Sequence, residues 1–260
     1  MIFWGLTKAP IDYAFIASPI VYLVIVLIAL ILLLFINKKI FKTRADQSIY
    51  LATSLVGNTG NLGIPLGIAL FGIASVPYTS IINIANIFFI YIFSVYFFAR
   101  EQFSLKEAVY SILKIPGIWF ALLALLVNYS GTGINKNVYV ALEMGAYTSM
   151  VIQLLIFGMY LSKMKIKAIP WYSALQISFV KHIFLPLFGI FVILYFTDLN
   201  AYVASILVME LMVPLAVNNV NLAALYNCKP YDVTASILIS SIVFVVFLYP
   251  YIQIIEYFIK

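Results

Sequence analysis

In 260 residues the chain carries 65% apolar residues, 17% aromatics and only 9% charged residues, with 15 basic against 9 acidic side chains. A water-facing surface takes charge at about 25% of its positions or more, so a soluble globule is excluded. The formal net charge of +6 does not mark a nucleic-acid surface, because the basic residues lie in short gaps between apolar runs, the pattern that sets topology in a bilayer.

The apolar runs predict an all-α integral membrane protein with eight transmembrane helices, near residues 13–36, 48–71, 79–99, 108–129, 137–161, 171–196, 200–226 and 232–258. Each is long enough to cross a hydrocarbon core as a helix, and none alternates polar and apolar as a barrel strand does. Residues 1–12 have neither the basic start nor the apolar run of a cleavable signal, so the first span is expected to direct insertion. Lys38, Lys39, Lys42 and Arg44 follow the first span, Arg100 and Lys106 the third, Lys163, Lys165 and Lys167 the fifth, and Lys229 the seventh. The other gaps hold only Lys136 and Lys260. The positive-inside rule then places the first set in the cytoplasm and both chain ends outside. Trp171, Tyr172, Tyr249 and Tyr251 fall near span ends, where rings settle at the headgroup layer. The single cysteine, Cys228, excludes an intrachain disulfide or a thiolate metal cluster.

Two spans depart from ordinary helix. The second carries Gly57-Asn58-Thr59-Gly60-Asn61-Leu62-Gly63-Ile64-Pro65-Leu66-Gly67, and the seventh carries Pro214 followed by Asn218, Asn219 and Asn221. Pro lacks the helical N–H and crowds the preceding turn, and clustered Gly and Asn weaken a helix further. Both spans are therefore expected to break, with Gly60, Gly63, Pro65 and Pro214 setting the breaks. Irregular backbone at membrane depth is tolerated where protein or a wet cavity satisfies it. Paired discontinuous helices in inverted halves are how secondary transporters build binding sites. On that reading Asn58, Thr59, Asn61, Asn218, Asn219 and Asn221 bind the substrate, offering donors and acceptors without a fixed charge. Close helix packing through Gly and polar residues is the plainer explanation for either cluster alone.

The stretches GNTGNLGIPLGIALFG (57–72) and PLAVNNVNLAALYN (214–227) resemble the two crossover helices of the auxin efflux carrier family, the plant auxin exporters and bacterial organic-acid carriers. The resemblance implies a fold similar to the bile acid and sodium symporters, with two inverted five-helix repeats. It divides the chain into a partial repeat of three helices, 1–106 with crossover helix 48–71, and a five-helix repeat, 107–260 with crossover helix 200–226. Two of the family's usual ten helices are then missing before residue 1, which favours a truncated start over a reduced variant. The resemblance also implies a bacterial inner-membrane permease for mono- or dicarboxylates, and a homodimer.

Glu210, one turn before Pro214, and Lys181 are the ion-coupling candidates, with H+ or Na+ as the ion; their plainer reading is a neutralising buried pair. His182 lacks a nearby carboxylate in sequence and reads as a packed residue. Glu143 reads as interfacial, and Ser149 and Gln153 as hydrogen-bonding glue between helices. No metal, nucleotide or hydrolase motif is present, so no enzyme activity and no cofactor are expected. The function expected is secondary transport of small organic anions by alternating access around the crossed helices. The alternative is a truncated or partner-dependent noncatalytic subunit of such a carrier.

Overall fold

The computed structural model describes residues 1–99, 106–107, 110, 113–162 and 169–259. Arg100, Lys163, Lys165 and Lys167 lie outside them, as does the side chain of Gln153. Helices fill the described chain in the order α1 Ile2–Leu6, α2 Tyr13–Ile40, α3 Arg44–Thr53, α4 Thr59–Phe71, α5 Ile73–Ala99, α6 Pro116–Tyr129, α7 Lys136–Ser162, α8 Trp171–Phe196, α9 Ala201–Met212, α10 Asn218–Leu225 and α11 Pro230–Ile259. Four described helices, α2, α5, α8 and most of α11, are long and apolar enough to cross a membrane.

Local sequence explains the starts. Asp12 caps α2 by accepting from the Phe15 amide at 2.7 Å, Thr43 caps α3 through Asp46, and Asn200 caps α9 through Val203, each removing one orphan amide of a first turn. The body of α2 is apolar on every face. Tyr22, Ile25, Val26 and Leu33 are buried, whereas Ile16, Ile20, Ile31 and Phe35 are exposed, the pattern of a helix with protein on one side and lipid on the other. It packs along α5, and α11 packs along α8, α9 and α10.

Among the described residues three helices contain a turn of π-helix, at Thr59–Gly63, Ile90–Ser94 and Val180–Phe184. The last explains how Pro186 sits within α8. Its missing N–H leaves the His182 carbonyl unserved, and the Tyr251 hydroxyl donates to that carbonyl at 2.9 Å. Tyr251 is thus buried rather than placed at the headgroup layer, unlike Trp171, Tyr172 and Tyr249, which are exposed.

The helix ends sort into two groups. At one end the Tyr172 hydroxyl reaches the Ile40 carbonyl at 3.3 Å, and Lys229 pairs with Asp46 at 2.6 Å. At the other, Asn128 donates to the Ala9 carbonyl at 2.7 Å, and Tyr202 lies against Phe71 and Tyr78. The basic stretch 38–44 and Lys229 therefore share one end of the molecule.

Both expected breaks are present, with their positions shifted. The first falls between α3 and α4, at residues 54–58, upstream of the glycines assigned to it. Gly60 and Gly63 lie within the π-turn that opens α4, and Pro65 sits in the first turn of the α-helical part that follows it, so neither the glycines nor the proline interrupts the helix. The second break, residues 213–217, contains Pro214 as expected. Residues 1–12 include the short helix α1, whose Gly5 lies so close to Ser80 that a Cβ has no room.

Candidate functional site

The two breaks cross and join by backbone. The Asn58 amide donates to the Pro214 carbonyl at 2.7 Å and the Ala216 amide to the Val56 carbonyl at 3.0 Å, a two-bond antiparallel bridge centred on Gly57 and Leu215. The exposed polar backbone of each break is thereby satisfied by the other, as the interior of a membrane protein requires. A third tie runs to α11. The Leu215 amide donates to Ser240 Oγ at 3.0 Å, and Ser240 lies 2.8 Å from His182 Nε2. Tyr251 spends its proton on the His182 carbonyl, so its oxygen accepts from His182 Nδ1 at 3.1 Å. The tautomer that completes this network carries its proton on Nδ1 and accepts from Ser240 on Nε2.

Beside the crossing lies a cavity of about 600 Å³. Its floor is the two breaks and the first turns of the helices after them. Asn58, Thr59, Gly60 and Asn61 come from one, and Ala216, Val217, Asn218 and Asn221 from the other. Ile87, Ile90, Phe120 and Phe3 supply an apolar wall. Both α4 and α10 begin at the cavity, so two helix N-termini, each with a positive partial charge, meet at one space.

Of the six residues expected to bind a substrate, five line this cavity and Asn219 does not. Asn218 and Asn221 lie three apart on one face of α10, whereas Asn219 is turned about 100° away. It is fully buried, with neither carboxamide atom partnered among the described residues. Asn83 and Asn86 of α5 were not singled out in the sequence, yet both line the cavity. The Thr59 hydroxyl donates to Asn83 Oδ1 at 2.9 Å. Asn86 Nδ2 donates to the Gly57 carbonyl at 2.8 Å and to Thr59 Oγ1 at 3.0 Å, and its Oδ1 accepts from Tyr22 at 3.0 Å. Asn86 therefore holds the first break in place, and Asn83 presents its amide group toward the cavity. Their signal is visible in hindsight: two carboxamides at i and i+3 in an otherwise apolar span. Ser149 also lines the cavity while donating to its own helix at Ala146.

Behind the crossing stand Lys181 and Glu210, both with 0% exposure. No hydrogen bond or ion-pair contact joins them as the buried pair that is the plainer alternative to their reading as ion-coupling candidates. Lys181 Nζ donates to the Leu211 carbonyl at 2.9 Å, capping the C-terminus of α9 where a cation meets the negative end of the helix dipole. A Cβ on Gly57 would lie 2.8 Å from that Nζ, so the ammonium rests one backbone thickness from the cavity that Gly57 lines. The Glu210 carboxyl lies against Gly63, where it occupies the space of a Cβ, and neither of its oxygens has a hydrogen-bond partner among the described residues.

A second cavity, about 550 Å³, lies near the other end, where Lys8, Tyr139 and Glu143 meet Trp4, Tyr78 and Tyr202. Lys8 Nζ sits 3.9 Å above the Tyr139 ring. Among the described residues no group of His, Cys, Asp and Glu is arranged to hold a metal.

Residues 1–108 match the family model described as membrane transport protein, a match consistent with the resemblance of residues 57–72 to the auxin efflux carrier family. The match takes in α1 to α5, and so the first break but not the second. No curated protein matches the chain.

Proposed function

We propose, from the match of its first 108 residues to a family of membrane transport proteins, that this chain is a secondary transporter whose cargo is a small organic anion. The observation that carries the reading is the convergence of two helix N-termini and several carboxamides on one cavity with an apolar wall. A carboxylate fits this site. Backbone amides and the positive ends of α4 and α10 attract its charge, Asn58, Asn61, Asn83 and Asn218 supply donors, and Ile87, Ile90 and Phe120 take its carbon skeleton.

In this reading the eight segments span the bilayer, the end carrying residues 38–44 and Lys229 faces the cytoplasm, and the chain forms two inverted repeats, 1–106 and 107–260. The crossing moves against the surrounding helices to expose the cavity to either side, with Glu210 and Lys181 coupling the movement to a proton or a sodium ion. Mono- or dicarboxylates are the cargo class and a homodimer the assembly. Binding of a panel of radiolabelled mono- and dicarboxylates to purified protein tests the site. Saturable binding that Asn218→Ala weakens at least tenfold is expected; no binding by folded, monodisperse protein overturns the reading.

A further inference from the structure

We propose that Glu210 is a proton-binding site whose occupancy sets the charge behind the anion cavity, making the chain a proton and anion symporter that does not use sodium. The inference rests on the anion reading of the cavity and assigns its coupling ion.

The geometry around Glu210 selects the ion. A metal cation of this kind needs several oxygen ligands around it. The carboxyl group is enclosed, with the Gly63 backbone pressed against it and, among the described residues, no hydrogen-bond partner at either oxygen. The Leu211 carbonyl, next in sequence at the end of α9, is taken by Lys181 Nζ. A proton needs no such shell. Intramembrane carboxyl groups with no partner are the sites at which proton relays operate.

The coupling follows from charge. Lys181, whose Nζ is held on the Leu211 carbonyl at the negative end of α9, rests against Gly57, on the far side of the backbone from the cavity. With Glu210 ionised, the pair contributes no net charge to the crossing. With Glu210 protonated, a Lys181 ammonium held at the C-terminus of α9 is uncompensated and makes the potential in the cavity positive. An anion in the cavity therefore favours the protonated carboxyl, and by linkage the proton favours the anion to the same degree. One proton, taken up from the side where the cavity is open, accompanies each anion and leaves with it on the other. Among the described residues Lys181 of α8 and Tyr22 of α2 interact with Glu210, and residues 59–71 of α4 include no titratable side chain.

Two measurements test this on the full chain in lipid nanodiscs. Infrared difference spectra across a pH titration, without any carboxylate, should show a buried protonated carboxyl band that Glu210→Gln removes. Binding of a radiolabelled carboxylate from the panel should release alkali into a weakly buffered medium, about one proton per anion. Its affinity should fall about tenfold per pH unit once Glu210 ionises, and be unchanged when choline replaces sodium. Glu210→Gln should keep binding while losing both the proton uptake and the pH slope. Sodium-dependent binding, or an unaltered pH slope in Glu210→Gln, overturns the proton assignment. A Glu210 carboxyl band with no carboxylate binding overturns the anion reading, and the symport with it, while leaving the proton site standing.

Discussion

Gly63 and Glu210 show how much of this site depends on single atoms. A methyl group on Gly63 has no room beside the Glu210 carboxyl, and because Glu210 is fully enclosed the carboxyl has nowhere to retreat. Gly63→Ala should lower stability by about 1–3 kcal/mol, the range for overpacking a tight interior. Gly145, in α7 with nothing within 4 Å of its would-be Cβ, is the control. Gly145→Ala should stabilise by about 0.5–1 kcal/mol through backbone entropy. Thermal unfolding in detergent with a fluorescent thiol or tryptophan readout separates the two signs. At this scale the sequence showed that Glu210, Lys181 and the asparagine clusters were unusual for membrane depth, because such residues are costly there. It could not show that Lys181 caps α9 instead of pairing with Glu210, since the two lie on different helices and their contact depends on how those helices pack.

At the scale of the elements, the second break is held from outside itself. The Leu215 amide is satisfied by Ser240 of α11, and Ser240 by His182 of α8. Ser240→Ala leaves a buried amide and a buried imidazole nitrogen without partners, at a cost of about 1–3 kcal/mol for each unsatisfied group. The expected result is a lower unfolding temperature and faster hydrogen exchange at residues 215–217 than in wild type, with little change in α2. The existence of the two breaks was legible, because a proline within clustered asparagines and glycines conflicts with helix on any reading. Their placement was less so. Pro65 reads as a helix breaker in sequence, but just after the π-turn it does not interrupt the helix, and the interruption moved upstream to residues 54–58. The π-turns had no signature, because one shifted hydrogen bond alters no composition. Asn83 and Asn86 were passed over for a related reason: α5 is otherwise an unremarkable apolar helix.

For the whole molecule, composition carried most of the information, since a bilayer demands long apolar helices and leaves them legible as runs. The broad exposed surface of aliphatic and aromatic side chains, from Ile16 and Phe35 on α2 to Val245 and Tyr249 on α11, has lipid as its natural solvent. Which end faces which compartment is a separate matter, and the grouping of helix ends makes it testable. With the buried Cys228 replaced by alanine, Lys42→Cys and Thr132→Cys place thiols at exposed positions of opposite ends. In intact bacterial cells a membrane-impermeant maleimide should modify Thr132→Cys, and Lys42→Cys only after permeabilisation; the reverse pattern inverts the orientation. The link between Lys229 and Asp46 at the basic end is a surface pair. The hydrogen bond to Asp46 raises the Lys229 ammonium above the ordinary lysine value. Its contribution is therefore complete below that ordinary value and lost only as pH rises through the raised one, leaving the link constant across neutral pH.

The two backbone bonds at the crossing also restrict how the molecule can change shape. Pulling the breaks apart strips partners from the Asn58 and Ala216 amides and the carbonyls they face, and each unpaired buried group costs about 1–3 kcal/mol. The crossing is thus a rivet and not a hinge. Four half-helices, α3, α4, α9 and α10, are pinned through it into one rigid cross, and the buried bonds from Asn86 of α5, Lys181 of α8 and Ser240 of α11 extend the pinned unit into those helices, so that a change of shape at the crossing carries all of them with it.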